Sequence, residues 1–216
     1  MMDPILIGGV PRSGTTLVAG IFKACGVWTG ETIPADKDNK KGYLENEDLV
    51  VLMREVFKGN GRFMKSVPPV LVDKTYTPEF KQRVLDCIDT EGPWLYKDSK
   101  LLLARGRWVK MFPNAMWILP IRNTEGILKS LAANANWSKR AKKAGPDFYK
   151  ECIDCLRAQQ IIAAAHHNRS LWIVTDIIMQ GELSGAQEVI KKCGLTWNEP
   201  AVTEWIDRTL WHWGKK

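Results

Sequence analysis

The sequence predicts a three-layer α/β fold of the P-loop type, a central parallel sheet flanked by helices on both faces. Three observations lead there. Short, nearly continuous apolar runs at 4–9, 94–97, 115–121 and 170–175 read as strands buried on both faces. Stretches of helical period separate or follow them, at 15–25, 45–58, 78–90, 100–111, 124–137, 147–166, 183–193 and 199–207, so the strands are joined by crossovers and not hairpins. The first run passes through a Gly-rich turn straight into a helix, the arrangement that aims free backbone N–H groups at an anion. A weaker strand signal lies near Val70-Leu-Val72. The 216 residues suffice for one large core, and one domain over 1–216 is expected.

The first element is the most informative. In Ile5-Leu-Ile-Gly-Gly-Val-Pro-Arg-Ser-Gly-Thr-Thr-Leu17, Gly9 and Gly14 keep the spacing of the phosphate-binding pattern G-x-x-x-x-G-K-[ST], but Thr15 stands where the lysine belongs. Without that lysine a triphosphate with its metal fits poorly. A smaller diphosphate-like anion is served by backbone N–H groups, the Thr15 and Thr16 hydroxyls and the Arg12 guanidinium. Leu17, Ile21 and Phe22 then continue at helical spacing. A polar loop over 27–44 leads to the helical pattern Leu49, Leu52, Met53, Val56, and 59–77 carries Gly59, Gly61, Pro68 and Pro69, a second loop. The run Trp94-Leu-Tyr-Lys-Asp98 is a strand ending in a charged pair. The run Ala115–Ile121 is a strand followed by Arg122-Asn-Thr-Glu-Gly-Ile-Leu-Lys-Ser130, in which Arg122 offers a bidentate fork and Ser130 a hydroxyl two helical turns on. Ligands of parallel sheets bind at the carboxyl ends of the strands, where Pro11, Asp98 and Arg122 all fall.

These residues resemble a family. Pro11-Arg-Ser-Gly-Thr-Thr16 looks like the 5′-phosphosulfate loop of sulfotransferases that take 3′-phosphoadenosine 5′-phosphosulfate (PAPS) as donor, in the arginine form of the bacterial and Golgi branches. The spacing of Arg122 and Ser130 is similar to the pair with which these enzymes grip the donor's 3′-phosphate, with Thr124 where the family usually has proline. Gly42-Tyr-Leu-Glu45 resembles the Gly-Tyr-aromatic-Glu stretch of the bacterial members, and Lys97-Asp98 their Lys-Asp-Pro-Arg segment, with Ser99-Lys100 replacing Pro-Arg. The resemblance spans roughly residues 5–131, the last third matching in outline alone. It implies PAPS as donor, no metal requirement, and a donor site of Pro11, Arg12, Ser13, Gly14, Thr15, Thr16, Arg122 and Ser130. One of the ten tryptophans is a candidate to stack on the adenine.

Composition bounds the alternatives. A net charge of +7 suits a polyanionic ligand. The basic runs 37–41 and 139–143 are separate and read as solvated loops. The start Met-Met-Asp-Pro has no basic leader and no apolar run approaches a membrane span, while five scattered cysteines point to reduced thiols, so a cytoplasmic protein without a membrane partner is expected. Cys152 and Cys155 are spaced like a redox pair but sit in a helical stretch, and packing is the expected role. A small-molecule, saccharide or peptide acceptor is expected, bordered by loops 27–44, 59–77 and 138–147. Two other functions stay open. A P-loop phosphotransferase such as a small nucleoside kinase would use Asp98 or Asp176 to hold magnesium, and a basic nucleic-acid-binding module would use the positive charge without catalysis.

Sulfuryl transfer needs a base at the acceptor and positive charge at the departing oxygen. The histidines are His166, His167 and His212, the first two at a helix end where capping is the expected job. A carboxylate is therefore preferred as base: Glu31, near where other members of the family carry a catalytic glutamate, with Glu45 and Asp98 as rivals. For the cation Arg12 leads and Lys97 follows.

Overall fold

The computed structural model describes residues 2–58, 76–98, 100–145 and 147–210, with no side-chain description for Lys58, Ala135 and Asn136. The weak strand signal near Val70, the loop 59–75, Ser99 and His212 lie outside these residues.

Four strands, β1 (Ile5–Ile7), β2 (Leu95–Lys97), β3 (Met116–Ile121) and β4 (Ser170–Val174), form one parallel sheet in the order β2-β1-β3-β4. The chain crosses from β2 over β1 to β3, so the order reverses beside β1. Side chains alternate between the two faces. Leu6, Tyr96, Trp117 and Leu119 join one apolar cluster, and Ile5, Ile7, Leu95, Ile118 and Ile173 join another. The first cluster is completed by α2 (Glu47–Lys58), α3 (Pro78–Leu85), α4 (Arg105–Met111), α5 (Thr124–Ala133) and α7 (Phe148–His166). The second is completed by α1 (Thr15–Ala24), α8 (Thr175–Gln180), α9 (Ser184–Lys192) and α10 (Glu199–Trp205). Helices therefore lie on both faces, as the mostly apolar strands require, although Trp172 and Val174 on the edge strand β4 stay exposed. Trp94, Trp108 and Trp117 are fully buried, each contributing about 1.5–3 kcal/mol or more of transfer free energy.

Two expectations about helices need correction. The pattern 124–137 is broken at Asn134, whose extended backbone (φ −82°, ψ 122°) ends α5 and whose Oδ1 accepts from Trp137 N at 3.1 Å to start α6 (Ala135–Ala144). The segment 138–147, expected as a loop bordering the acceptor, is thus mostly helix. Its apolar content is too low for periodicity to reveal it; the cap creates it. The short α8 was also unforeseen, since six residues carry too little pattern. Cys152 and Cys155 do lie within α7, where burial pushes the Cys152 thiol up to about 11, which suits packing and not redox chemistry. Among the described residues no helix is long and apolar enough to cross a membrane.

Candidate active site

Between β1 and α1 the chain packs too closely for ordinary side chains. A Cβ on Gly9 would lie 2.8 Å from both Ser13 Oγ and Thr15 Cγ2; one on Gly14 would lie 2.8 Å from Thr175 Cγ2, and Gly14 also has φ +86°. Arg12 adopts φ +69°, a left-handed conformation that costs a non-glycine residue about 1–3 kcal/mol. The surroundings hold it there. Its carbonyl accepts from Arg122 Nη1 at 3.0 Å, its Nε donates to Ser130 Oγ at 2.8 Å, and its Nη1 donates to Asp38 O at 3.3 Å. Residues 110 and 118 positions apart in sequence thus meet at one point.

The start of α1 is electropositive. Gly14 supplies no side-chain cap and the first turn holds no acidic residue, so the positive helix end is uncompensated. Ser13 Oγ is buried with no hydrogen-bond partner among the described residues, an orphaned donor beside that end. Thr16 Oγ1 donates to Tyr43 O at 3.4 Å and accepts from Asn39 Nδ2 at 3.3 Å, which ties the loop after α1 to the helix start.

Arg122 follows β3 directly. Burial pulls its pKa below the ordinary arginine value, the Asp176 carboxylate opposes that pull, and Arg12 adds to it. Asp176 Oδ1 lies 3.7 Å from Arg122 Nε, while its Oδ2 accepts from Asn123 N at 2.7 Å. Asn123, not Thr124, caps α5, its Oδ1 accepting from Glu125 N and Gly126 N. From α7, Arg157 donates to Arg122 O at 2.9 Å, and the buried Gln160 Nε2 donates to Gly8 O at 3.2 Å and Pro120 O at 3.0 Å. The Thr175 hydroxyl lies 3.0 Å from both Ser13 O and Ile121 O.

Lys97 and Asp98, adjacent in sequence, do different things because a strand sends neighbouring side chains to opposite faces. Lys97 Nζ, buried on the α1 side, donates to Tyr43 O at 2.6 Å and to Glu45 Oε1 at 3.0 Å. Desolvation raises the Glu45 pKa in spite of Lys97, with Asp98 adding to the rise. Glu45 does not cap α2: Asn46 does, its Oδ1 accepting from Leu49 N at 2.9 Å. Asp98 accepts from the Tyr96 hydroxyl at 3.1 Å and from Lys100 N at 2.8 Å, with Lys100 Nζ 3.6 Å away, so it serves its own turn. Glu31 is exposed; its carbonyl accepts from Glu47 N where Thr32 bridges Asn46. Tyr43, joined through its hydroxyl to Asp36 at 2.9 Å, has its pKa pushed up to about 12 by burial and by that carboxylate.

A cleft of about 150 Å³ opens over this arrangement, lined by Arg12, Thr15, Thr16, Arg122, Ser130 and Trp205 among others. Lys41 also lines it; its ammonium donates to Trp205 O and lies 4.7 Å above the Trp205 ring, bridging the loop after α1 and the end of α10. Of the residues singled out in sequence, Arg12, Gly14, Thr15, Thr16, Arg122 and Ser130 line one cleft; Pro11, Ser13, Glu31, Glu45, Lys97 and Asp98 do not line it, the Lys97–Glu45 pair reaching it through Tyr43. Sequence reasoning missed Arg157, Gln160, Thr175, Lys41 and Trp205 and assigned Asp176 a different task. Thr175 and Asp176 carried a usable signal, polar residues directly after an apolar strand, the same one that marked Arg122.

The fold and cleft define a parallel α/β protein with a cleft at the strand ends, where the strand order reverses. The chain belongs to the sulfotransferase family, whose model matches residues 4–199. Among solved structures it is similar to the sulfotransferase domain of an olefin synthase from Synechococcus PCC 7002 (14% identity, TM-score 0.58, covering 96% of this chain and 79% of that one). It is also similar to the sulfotransferase domain from the curacin biosynthetic pathway (9% identity, TM-score 0.60, 96% and 80%) and to the sulfotransferase STF9 from Mycobacterium avium (13% identity, TM-score 0.52, 99% and 69%). At these identities the likeness shows the shared fold. No curated protein matches the chain.

Proposed function

We propose that the chain moves a sulfuryl group from PAPS to a hydroxyl or amine acceptor and releases 3′-phosphoadenosine 5′-phosphate. The observation that carries this reading is the meeting of Arg12, Arg122 and Ser130 in one cleft, which suits a ligand with two anionic ends. The orphaned Ser13 hydroxyl and the uncapped start of α1 fit the 5′-phosphosulfate, held by residues 11–16; Arg122 and Ser130 fit the 3′-phosphate. The donor supplies an electrophilic sulfur. As the acceptor oxygen or nitrogen bonds to it, the sulfur–oxygen bond to the 5′-phosphate breaks, the acceptor's proton passes to a base, and the charge left on the departing oxygen is met by Arg12 and the N–H groups of α1. The sulfuryl group carries a single charge and needs no metal in this reading.

For the base, the raised pKa of Glu45 favours it over the exposed Glu31, with Lys97 as its partner. Asp98 is committed to Tyr96 and Lys100, and Asp176 to Arg122 and Asn123; this weighs against a kinase that would use either for magnesium. The test is a thermal-shift titration with 3′-phosphoadenosine 5′-phosphate in excess EDTA, beside Arg122→Ala. Stabilisation of the wild type with a weakened response in the variant is expected; no stabilisation, or an equal response, overturns the donor assignment.

A further inference from the structure

The Gly-rich loop and the β3–α5 segment touch directly, Arg12 meeting both Arg122 and Ser130. A third segment, Thr175-Asp176 at the β4–α8 junction, touches both. The Thr175 hydroxyl lies 3.0 Å from Ser13 O in the Gly-rich loop and 3.0 Å from Ile121 O at the end of β3. Its side chain is fully buried and fills the space that a Cβ on Gly14 would take. Asp176 then reaches the β3–α5 turn twice, Oδ2 accepting from Asn123 N at 2.7 Å and Oδ1 standing 3.7 Å from Arg122 Nε.

From this geometry we infer that Asp176 is a positioning residue for donor recognition, standing on the Nε side of Arg122 while Nη1 bonds Arg12 O, so that the guanidinium keeps the orientation in which it lines the cleft. Three physical points support it. Arg122 Nη1 donates to the backbone carbonyl of Arg12, which brings two cationic residues together, and a carboxylate behind Arg122 offsets their repulsion before any ligand arrives. A guanidinium recognises phosphate by a planar fork, so its orientation decides affinity as much as its charge does. Asp176 is also fixed: its second oxygen is bonded to the backbone of the turn that carries Arg122, so carboxylate and guanidinium move together. Asp176 touches no reacting atom in this assignment. It acts through Arg122, and it rests on the donor reading above.

The test is a double-mutant cycle on 3′-phosphoadenosine 5′-phosphate affinity, measured by calorimetry or thermal shift in EDTA. Asp176→Asn keeps an acceptor for Asn123 N and removes the charge. In the wild-type background it is expected to weaken binding about tenfold. In the Arg122→Ala background the same change is expected to be neutral or to strengthen binding, because the carboxylate left alone repels the anion. That loss of the weakening when Arg122 is absent is what a structural role would not produce. Equal weakening in both backgrounds, or no effect in the first, overturns the positioning role while leaving the donor assignment intact. A wild type that does not bind the nucleotide overturns both. Unfolding midpoints of the four proteins identify any loss of binding caused by misfolding.

Discussion

Gly20, on the buried face of α1, opposes intrinsic helix preference to tertiary packing. Helix propensity alone makes Gly20→Ala stabilising by about 1 kcal/mol. A Cβ at Gly20, however, would overlap the Trp205 indole at Cε2, Cζ2 and Nε1. The same indole donates from Nε1 to Leu17 O at 3.0 Å and lines the cleft. Making room costs the hydrogen bond, about 1 kcal/mol, and an overpacking penalty of about 1–3 kcal/mol. Set against the propensity gain, the net is a loss of about 1–3 kcal/mol. At about 2–4 °C per kcal/mol for a chain of this size, the melting temperature falls by several degrees. Urea unfolding of wild type, Gly20→Ala, Trp205→Leu and the double variant measures the coupling. In the double variant Gly20→Ala should cost little, since the smaller side chain leaves space for the methyl group. If Gly20→Ala alone is as stable as the wild type, the packing argument fails.

Three further outcomes are expected. Ser13→Ala should leave the urea midpoint nearly unchanged, because the hydroxyl has no partner to lose, yet weaken 3′-phosphoadenosine 5′-phosphate binding roughly 3–10-fold by calorimetry; unchanged affinity would falsify its role as a donor to the anion. Glu45→Gln should lower kcat by about 10²–10⁴ and Glu31→Gln by a few-fold at most, with the acidic limb of the wild-type pH–rate profile above the ordinary carboxylate range; the reverse ranking removes Glu45 as the base. His167, stacked on Trp117 and facing Arg105 at 3.3 Å, has its pKa held below the ordinary 6.5 by burial, Arg105 and His166. The unfolded chain then takes up a proton that the folded chain resists, so stability falls as pH drops below about 6.5 and is regained above it. Comparing urea midpoints at about pH 5.5 and pH 7.5 should give a smaller difference in His167→Gln than in wild type; an identical difference assigns the pH dependence to other groups.

The four strands and most long helices were legible in the sequence because their signal is local. A strand buried on both faces must be apolar along its length, as Ile5–Ile7 and Met116–Ile121 are, and a helix with one buried face repeats, as Leu49, Leu52, Met53 and Val56 do. Where one polar side chain overrides a weak pattern, legibility failed: Asn134 splits a helix that periodicity joined. The candidate site divides the same way. Arg12 and Arg122 stood out because a Gly-rich turn and a strand-end cation are local features, whereas Ser130 was marked by the resemblance of its spacing from Arg122 to that in sulfotransferases. Gln160 looked like any other residue of α7, and its bonds to Gly8 O and Pro120 O depend on how that helix crosses the sheet.

The sequence by itself determined the layered fold and the Gly-rich turn with threonine in place of lysine, since each follows from spacing within one segment, while the pairing of that turn with Arg122 and Ser130 was implied by resemblance to sulfotransferases. The tertiary structure alone decided what those residues do to one another. It brought Ser130 to Arg12, set Asp176 behind Arg122, turned Lys97 to Glu45 while Asp98 faced the other way, and closed Trp205 over Gly20. The physical reason is that pairing of charges and exclusion of side chains depend on distances of a few ångströms between segments 52 to 188 residues apart, which only the packing of helices against the sheet establishes.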